Sequence, residues 1–428
     1  MRSTDKFIRT IDVKLIYAIG CITSILIFFQ ASFMFDKFHI NLNLADMLSI
    51  CGISIVFIRR HHNNQLQFNL PHVQSFILAS TLAFATAFLI GWHKFGFSTF
   101  AFFNKFLGLF ILFGYAAVGA LFIHGHGIRG LRVLTRIMLT VLATLIVYEL
   151  FINVLYSSHV IETEYLNDLS LAGYANNRNA FAFQIMCALC LQFTLKEIKN
   201  SWITSLLLSG IFLTYSRSAI ITTFVLINVF YFFKYISRAE LKKYIYQIIV
   251  ITVSVLLIEN TAYYILEFFR NVFLGTKTEH YWTILSNKNF SPATSNSQRM
   301  YTILEGFRLW KENPLFGIGL GGFVNLELQK NNAFLVIHNS FLWILTEFGI
   351  FGASVFLLYG LVILKHMYNL LKQKAFNWPI QDRLVLGLLI VFGLMANAHE
   401  VFYQRIFWFL IGAAIVSYKR TDKHFSEV

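Results

Sequence analysis

Residues 337–364 read IHNSFLWILTEFGIFGASVFLLYGLVIL: a histidine, an asparagine and a serine, then a run of membrane length with a single charge, Glu347. About 20 predominantly apolar residues suffice to cross the hydrocarbon core of a bilayer as a helix. His338 therefore stands at the mouth of a membrane span. The stretch before it, 263–337, is the one long polar island in a chain that is otherwise apolar run after apolar run. A histidine at the rim of a span, roofed by a loop carrying Arg299, Arg308 and Trp310, reads as a reaction site facing one side of a membrane.

The rest of the chain supports a membrane setting. Of its 428 residues 57% are hydrophobic and 13% charged, with a mean hydropathy of +0.62; soluble domains carry about 25% charged residues. Backbone groups in lipid must be bonded internally, so helices or a closed barrel are the options. The apolar runs are about 18–25 residues long rather than alternating segments of about 10, which selects helices. The expected fold is an all-α polytopic membrane protein of about 12 transmembrane helices, at roughly 15–35, 40–58, 71–92, 99–123, 131–155, 179–195, 201–215, 218–233, 244–262, 339–364, 380–398 and 401–417. This divides the chain into a transmembrane bundle (1–262), a large loop (263–337) and C-terminal spans with a tail (338–428). The first run is too long for the h-region of a signal peptide and no small-residue cleavage site follows it, so it reads as a span. Cys21, Cys51, Cys187 and Cys190 all fall inside apolar runs, where small buried residues are expected rather than disulfides or a metal pair.

The net charge of +14 lies at span ends rather than in one patch, which argues against nucleic acid. One set of polar segments holds 22 of the 35 lysines and arginines: those near residues 2–14, 59–60, 129–136, 196–199, 234–243, 365–383 and 419–423. Of the 13 on the other side, seven lie in the 263–337 loop. Orientation follows the short loops, and these divide 22 to 6. Both termini are expected in the cytoplasm and the long loop outside it.

Two segments then share the outer face. Loop 156–178 ends in Asn176-Asn177-Arg178-Asn179. Loop 263–337 contains Met300, Ile303, Leu304, Phe307 and Trp310 at helical spacing, with Ser297 as the expected N-cap and Asn313-Pro314 as the stop. Such a helix is too short and polar to span, so it lies flat on the membrane or packs over the bundle. The glycines of FGIGLGGF (316–323) match G-x-G-x-x-G, but an amphipathic helix and Pro314 precede them where a dinucleotide site needs a strand. A tight turn returning the chain to the membrane is the better reading.

Several charged residues compete for a functional role with bland alternatives. Arg217, in Tyr215-Ser216-Arg217-Ser218 between two apolar runs, is either a snorkelling interfacial charge or an inward-facing one lining a cavity. Arg299 opens the amphipathic stretch; Arg308 lies nine residues on and faces elsewhere. His338 has the proton affinity for a general base near neutral pH. Glu347 falls about half a turn off the histidine's face at 100° per residue, and as an intramembrane carboxylate it wants a partner, such as an arginine of a neighbouring span. His399, Glu400 and Arg405 lie at an outer hairpin between the last two spans, where they could line the same cavity. His124-Gly125-His126 lies on the opposite face without carboxylates and does not read as a metal pair.

In combination these residues resemble a known family. Gln298-Arg299-Met300, Trp310-Lys-Glu-Asn-Pro314-Leu-Phe-Gly317-Ile-Gly319, His338-Asn339-Ser340-Phe341-Leu342 and Glu347-Phe348-Gly349 with Gly352 are similar to the motifs of the O-antigen ligase family, which includes O-antigen polymerases. Tyr215-Ser216-Arg217-Ser218 resembles its other arginine motif. The resemblance implies a C-type glycosyltransferase (GT-C) fold in the bacterial inner membrane. It implies transfer of O-antigen glycan from undecaprenyl pyrophosphate to a sugar of lipid A-core on the periplasmic face, without metal or other cofactor. It implies that His338, Arg217 and Arg299 are the essential residues. The chemistry of the side chains agrees: guanidiniums stay charged and bind phosphate oxygens bidentately, and a sugar hydroxyl needs a base. Lipid A-core is anionic, so Arg308, Lys311, Arg178, His399 and Arg405 are further candidates for holding substrate. A polymerase would take a second lipid-linked repeat as acceptor. A transporter is the rival from another class, disfavoured because the polar residues gather at the outer face rather than at mid-membrane.

Overall fold

The computed structural model describes residues 2–35, 38–61, 66–157, 170–174, 177–195, 201–251, 253, 292–372 and 378–416. Helices dominate: Arg2–Leu26, Asp46–His61, Val73–Phe95, Gly108–Ser157, Arg178–Leu195, Ser201–Leu213, Arg217–Phe232, Pro292–Glu312, Gly322–Asn331, Ser340–Leu371, Ile380–Ala396 and Arg405–Ile415. By length and composition three stretches are long and apolar enough to cross a membrane: Val73–Phe95, Phe100–Asn153 and Ser340–Leu371. The expected span 244–262 runs beyond residue 253 outside the described residues, as does most of the early half of the 263–337 loop.

Burial follows the pattern of a membrane protein. In helix Val73–Phe95 the small residues Ser80, Ala83, Ala87 and Gly91 face inward with Phe84 and Phe88, while Leu78, Leu82 and Leu89 are each more than half exposed. Large aliphatic side chains pointing outward suit lipid, and small residues let backbones approach within the bundle. The closest approach joins helix Gly108–Ser157 to the last helix, Arg405–Ile415. A Cβ on Gly119 would lie 2.0 Å from the Phe409 carbonyl oxygen, and one on Gly412 2.0 Å from that of Ala116. Helix Arg178–Leu195 is apolar all round, and every residue from Phe181 to Leu195 is buried. It is the central element, and its N-terminal end delivers Arg178 to the rim.

Four departures from the sequence expectation have physical causes. The helix at the expected first span stops at Leu26, and an antiparallel hairpin follows, Gln30–Phe35 with Phe38–Asn43, in register from Gln30 opposite Asn43 to Phe35 opposite Phe38. Phe38-His-Ile-Asn-Leu-Asn alternates apolar and polar residues, the period of a strand, and the next helix begins only at Asp46. Second, the expected span 99–123 opens as a π-helical segment, Phe100–Leu107, and then runs with 131–155 in one helix from Gly108, which Gly127 breaks at φ 55° and ψ −142°, so the chain does turn at a glycine between the two runs. Third, the loop helix begins at Pro292, so Ser297 lies within it and is not its N-cap. Its inner face is Thr302, Gly306 and Leu309, whereas Met300, Leu304 and Phe307 of the expected stripe are exposed. The helix packs over the bundle through Thr346, whose hydroxyl donates to the Gly306 carbonyl at 3.0 Å.

The fourth concerns the glycine segment. Helix Ser340–Leu371 is interrupted at Gly349 (φ 64°, ψ −166°), a conformation essentially restricted to glycine. The interruption frees backbone groups on both sides, and loop 314–321 takes them. Ile318 and Gly319 N–H donate to the carbonyls of Thr346 and Glu347 at 2.9 and 3.1 Å; Ile350 and Phe351 N–H donate to those of Pro314 and Leu315 at 2.8 and 3.0 Å. The turn is thus a plug seated in a broken helix, the arrangement that lets irregular backbone exist at membrane depth. Glu347 does not meet an arginine there: its Oε2 accepts the Gly321 N–H at 2.9 Å.

Candidate active site

Three helices begin at one rim, each preceded by a polar cap. Asn177 Oδ1 accepts the N–H groups of Asn179 and Ala180 at 3.0 and 3.2 Å, and Arg178 opens the central helix. The segment before it is fixed by Ala172 N–H donating to Glu149 at 3.1 Å and Leu171 N–H to the Leu213 carbonyl at 3.2 Å. Ser216 caps the helix that Arg217 opens. Asn339 Oδ1 accepts the Leu342 N–H at 2.9 Å, so His338 lies just outside its helix rather than on it. Helix N-termini carry partial positive charge and unpaired N–H groups, so all three ends favour an anion.

Hydrogen bonds hold these ends to the hairpin between the last two helices. The Ser218 hydroxyl and His399 Nε2 are 2.8 Å apart, and Ser218 is also 3.2 Å from Ser216 Oγ. The Ser340 hydroxyl donates to the His399 carbonyl at 2.9 Å and accepts the Val401 N–H at 3.0 Å. The Asn339 amide donates to the Asn397 carbonyl at 3.0 Å. Residue 399 thus bridges the Arg217 end and the His338 end. Ser218→Ala leaves His399 Nε2 without this partner and is expected to lower unfolding stability by about 1–3 kcal/mol, read by thermal unfolding in detergent.

The electrostatics identify who faces whom. His338 is partly buried; its pKa is lowered first by burial and then by the Arg299 guanidinium, with Glu400 pulling the other way. His399 is pushed down to about 3 by burial, then by Arg299, His338 and Arg178. Arg299 is itself lowered by burial and by Arg178. Arg178, Arg299, His338, His399 and Glu400 thus act on one another electrostatically, and Arg217 is next to Ser218, the hydrogen-bond partner of His399. Among the described residues no carboxylate pairs with Arg178, Arg217 or Arg299.

The remaining candidates go elsewhere. Arg308 is exposed and held by Glu305 and Glu312 on its own helix, and Lys311 lies over the Phe307 ring at 4.7 Å. Arg308→Ala is expected to change stability little, within about 0.5 kcal/mol, measured by thermal unfolding. Arg405 is partly buried in a bidentate pair with Asp46, Nε to Oδ1 at 2.7 Å and Nη2 to Oδ2 at 2.8 Å. It braces the bundle and does not join the rim. Cys187 and Cys190 are fully buried free thiols.

One residue at the site, Lys105, had no role in the sequence reading. Lys105 lies in a π-helical segment, Phe100–Leu107, a form found often at functional sites. Its ammonium is paired with Glu400 and stands over the rings of Tyr403, Trp343 and Phe100 at 4.5, 4.9 and 5.4 Å. The signal in the sequence was a lone lysine in an otherwise apolar run, which demands a partner.

No curated protein matches the chain. Residues 202–357 match the family model described as O-antigen ligase, a segment that contains Arg217, Arg299, His338 and the Gly317–Gly349 plug but neither Arg178 nor His399. The match thus falls on much of the rim, and this segment of the chain is similar to the O-antigen ligase family, whose members act as ligases or polymerases.

Proposed function

We propose that the protein is an O-antigen ligase, an inverting glycosyltransferase of the bacterial inner membrane with a GT-C fold of about 12 spans. In this reading both termini are cytoplasmic and the 263–337 loop is periplasmic. The donor is O-antigen glycan on undecaprenyl pyrophosphate and the acceptor a sugar hydroxyl of lipid A-core. The single observation that carries the reading is the rim itself: Arg178 and Arg217 at two helix N-termini and Arg299 within the loop helix, all without carboxylate partners among the described residues, with Arg299 acting on His338 and Ser218, next to Arg217, bonded to His399.

That rim suits a diphosphate leaving group. As the bond between the anomeric carbon and the pyrophosphate oxygen breaks, the electron pair passes to the pyrophosphate, and charge grows on its oxygens. Arg217 and Arg299, with Arg178 beside them, stabilise that charge through guanidinium donors. The acceptor hydroxyl oxygen forms the new bond to the anomeric carbon from the opposite face, which inverts its configuration, and its proton goes to His338. Outside the cytoplasm no nucleotide sugar is at hand, so the donor lipid supplies the energy of transfer.

The test is reconstitution of the purified protein with undecaprenyl-pyrophosphate-linked glycan, with and without lipid A-core. Glycan-bearing lipid A that appears only with lipid A-core is the expected product. Glycan lengthening without lipid A-core selects the polymerase instead, and absence of both products removes the assignment.

A further inference from the structure

We propose that Lys105 and Glu400 are a charge pair belonging to the active site, in which Glu400 is a positioning residue that sets the electrostatics of His338 and Lys105 is its buried counter-ion. This deepens the ligase reading and rests on it for its meaning, although not for its test.

Hydrogen bonds hold residue 400 at the start of the His338 helix. Its neighbours on both sides are tied to Ser340, two residues from His338: the His399 carbonyl accepts the Ser340 hydroxyl at 2.9 Å, and the Val401 N–H donates to it at 3.0 Å. Asn339, the residue after His338, is tied to Asn397 at 3.0 Å. The hairpin is therefore clamped to the start of the His338 helix on both sides of Glu400. Lys105 is fixed just as firmly. Its carbonyl accepts the Tyr403 hydroxyl at 3.1 Å, and its ammonium meets Glu400 inside the Phe100, Trp343 and Tyr403 rings. Lys105 is 6% exposed, and a buried charge without its partner is strongly destabilising.

A pair used only for packing would do equally well as two apolar side chains. This one faces a rim that otherwise carries an excess of positive charge. The groups facing His338 are Arg299 from the loop helix, and Glu400 and His399 from the hairpin; Arg178 from the central helix faces His399. Among the described residues Glu400 is the carboxylate that acts on His338. It offsets Arg299, so the imidazole keeps enough basicity to accept a proton between arginines that hold a diphosphate.

The test reads His338 directly. Diethyl pyrocarbonate acylates the neutral imidazole only, so the rate of His338 modification against pH, followed by peptide mass spectrometry on the intact protein in detergent, reports its titration midpoint. Lys105→Met removes the counter-ion of Glu400, and is expected to raise the midpoint by about one pH unit, the effect of one nearby charge. The double variant Lys105→Met/Glu400→Gln removes the carboxylate charge as well, stays free of an orphaned lysine, and is expected to return the midpoint to near or below that of the wild type. Equal midpoints in the single and double variants overturn the proposal, because a merely structural pair would leave the histidine unmoved. Should the wild type transfer no glycan, the ligase reading falls while this titration still decides the role of Glu400.

Discussion

Substituting His338 with alanine is expected to slow glycan transfer by about 10²–10⁴-fold, the usual contribution of a positioned general base, while the unfolding temperature changes little. The second half of this expectation comes from the structure. Asn339, not His338, caps the following helix, and no side-chain hydrogen bond ties the imidazole to another described residue. Removing it should therefore cost chemistry and not fold. The measurement is initial rate of lipid A-core glycosylation beside thermal unfolding of the same preparation. A variant that retains full transfer would remove His338 from the mechanism.

The pH profile adds a directional check. Burial and Arg299 lower the His338 pKa below its ordinary 6.5 and Glu400 opposes them. The neutral imidazole, the form that accepts a proton, therefore prevails at pH 7, and kcat/KM should fall on the acid side only as pH drops through that lowered value. Replacing Arg299 with glutamine removes a charge that lowers the pKa. The acid limb should move upward toward 6.5 while the rate falls from loss of leaving-group stabilisation. The neutral His399 carries a stability consequence of the same sign. Its folded pKa near 3 lies below the unfolded 6.5, so stability present above pH 6.5 is progressively lost as pH falls from there toward 3.

The site was legible in the sequence where its residues break the apolar grammar of the chain. Arg217 interrupts two runs, His338 opens one, and Arg178 and His399 sit in polar segments between runs. Each is conspicuous because a charge or imidazole near lipid needs a reason. Lys105 and Asp46 broke the same rule but passed as incidental, since their partners Glu400 and Arg405 are 295 and 359 residues away. Only the fold joins those ends. Arg308 illustrates the converse: two glutamates at helical spacing, Glu305 and Glu312, already satisfied it locally, and that pairing was readable. The plug of Gly317 and Gly319 into the break at Gly349 was not, because a hydrogen-bond exchange between a loop and an opened helix leaves no period in the sequence. Glycine marked the spot without saying what it met.

Substituting Asp46 with alanine is expected to lower unfolding stability by about 3–5 kcal/mol, the cost of removing one partner of a buried ion pair. Arg405 would then be left partly buried beside Tyr115, whose hydroxyl now donates to Asp46 Oδ1 at 2.9 Å, and the Asn43 N–H would lose its acceptor, Asp46 Oδ2, at 2.9 Å. Asn43 extends the network by donating to the Ile27 carbonyl at 2.8 Å. One carboxylate thus ties together the end of the first helix, the strand hairpin, the long helix Gly108–Ser157 and the last helix. Arg405→Ala orphans the carboxylate instead and should cost a similar amount, whereas Asp46→Leu/Arg405→Met removes both charges and should recover much of the loss, as apolar replacements of buried pairs do. Unfolding titrations in detergent read all three. The recovery matters for function, because Arg405 begins the helix that follows the His399–Glu400 hairpin. If the doubly substituted protein is stable and still transfers glycan, Arg405 is a brace; if it is stable and inactive, the position of that hairpin depends on the ion pair itself.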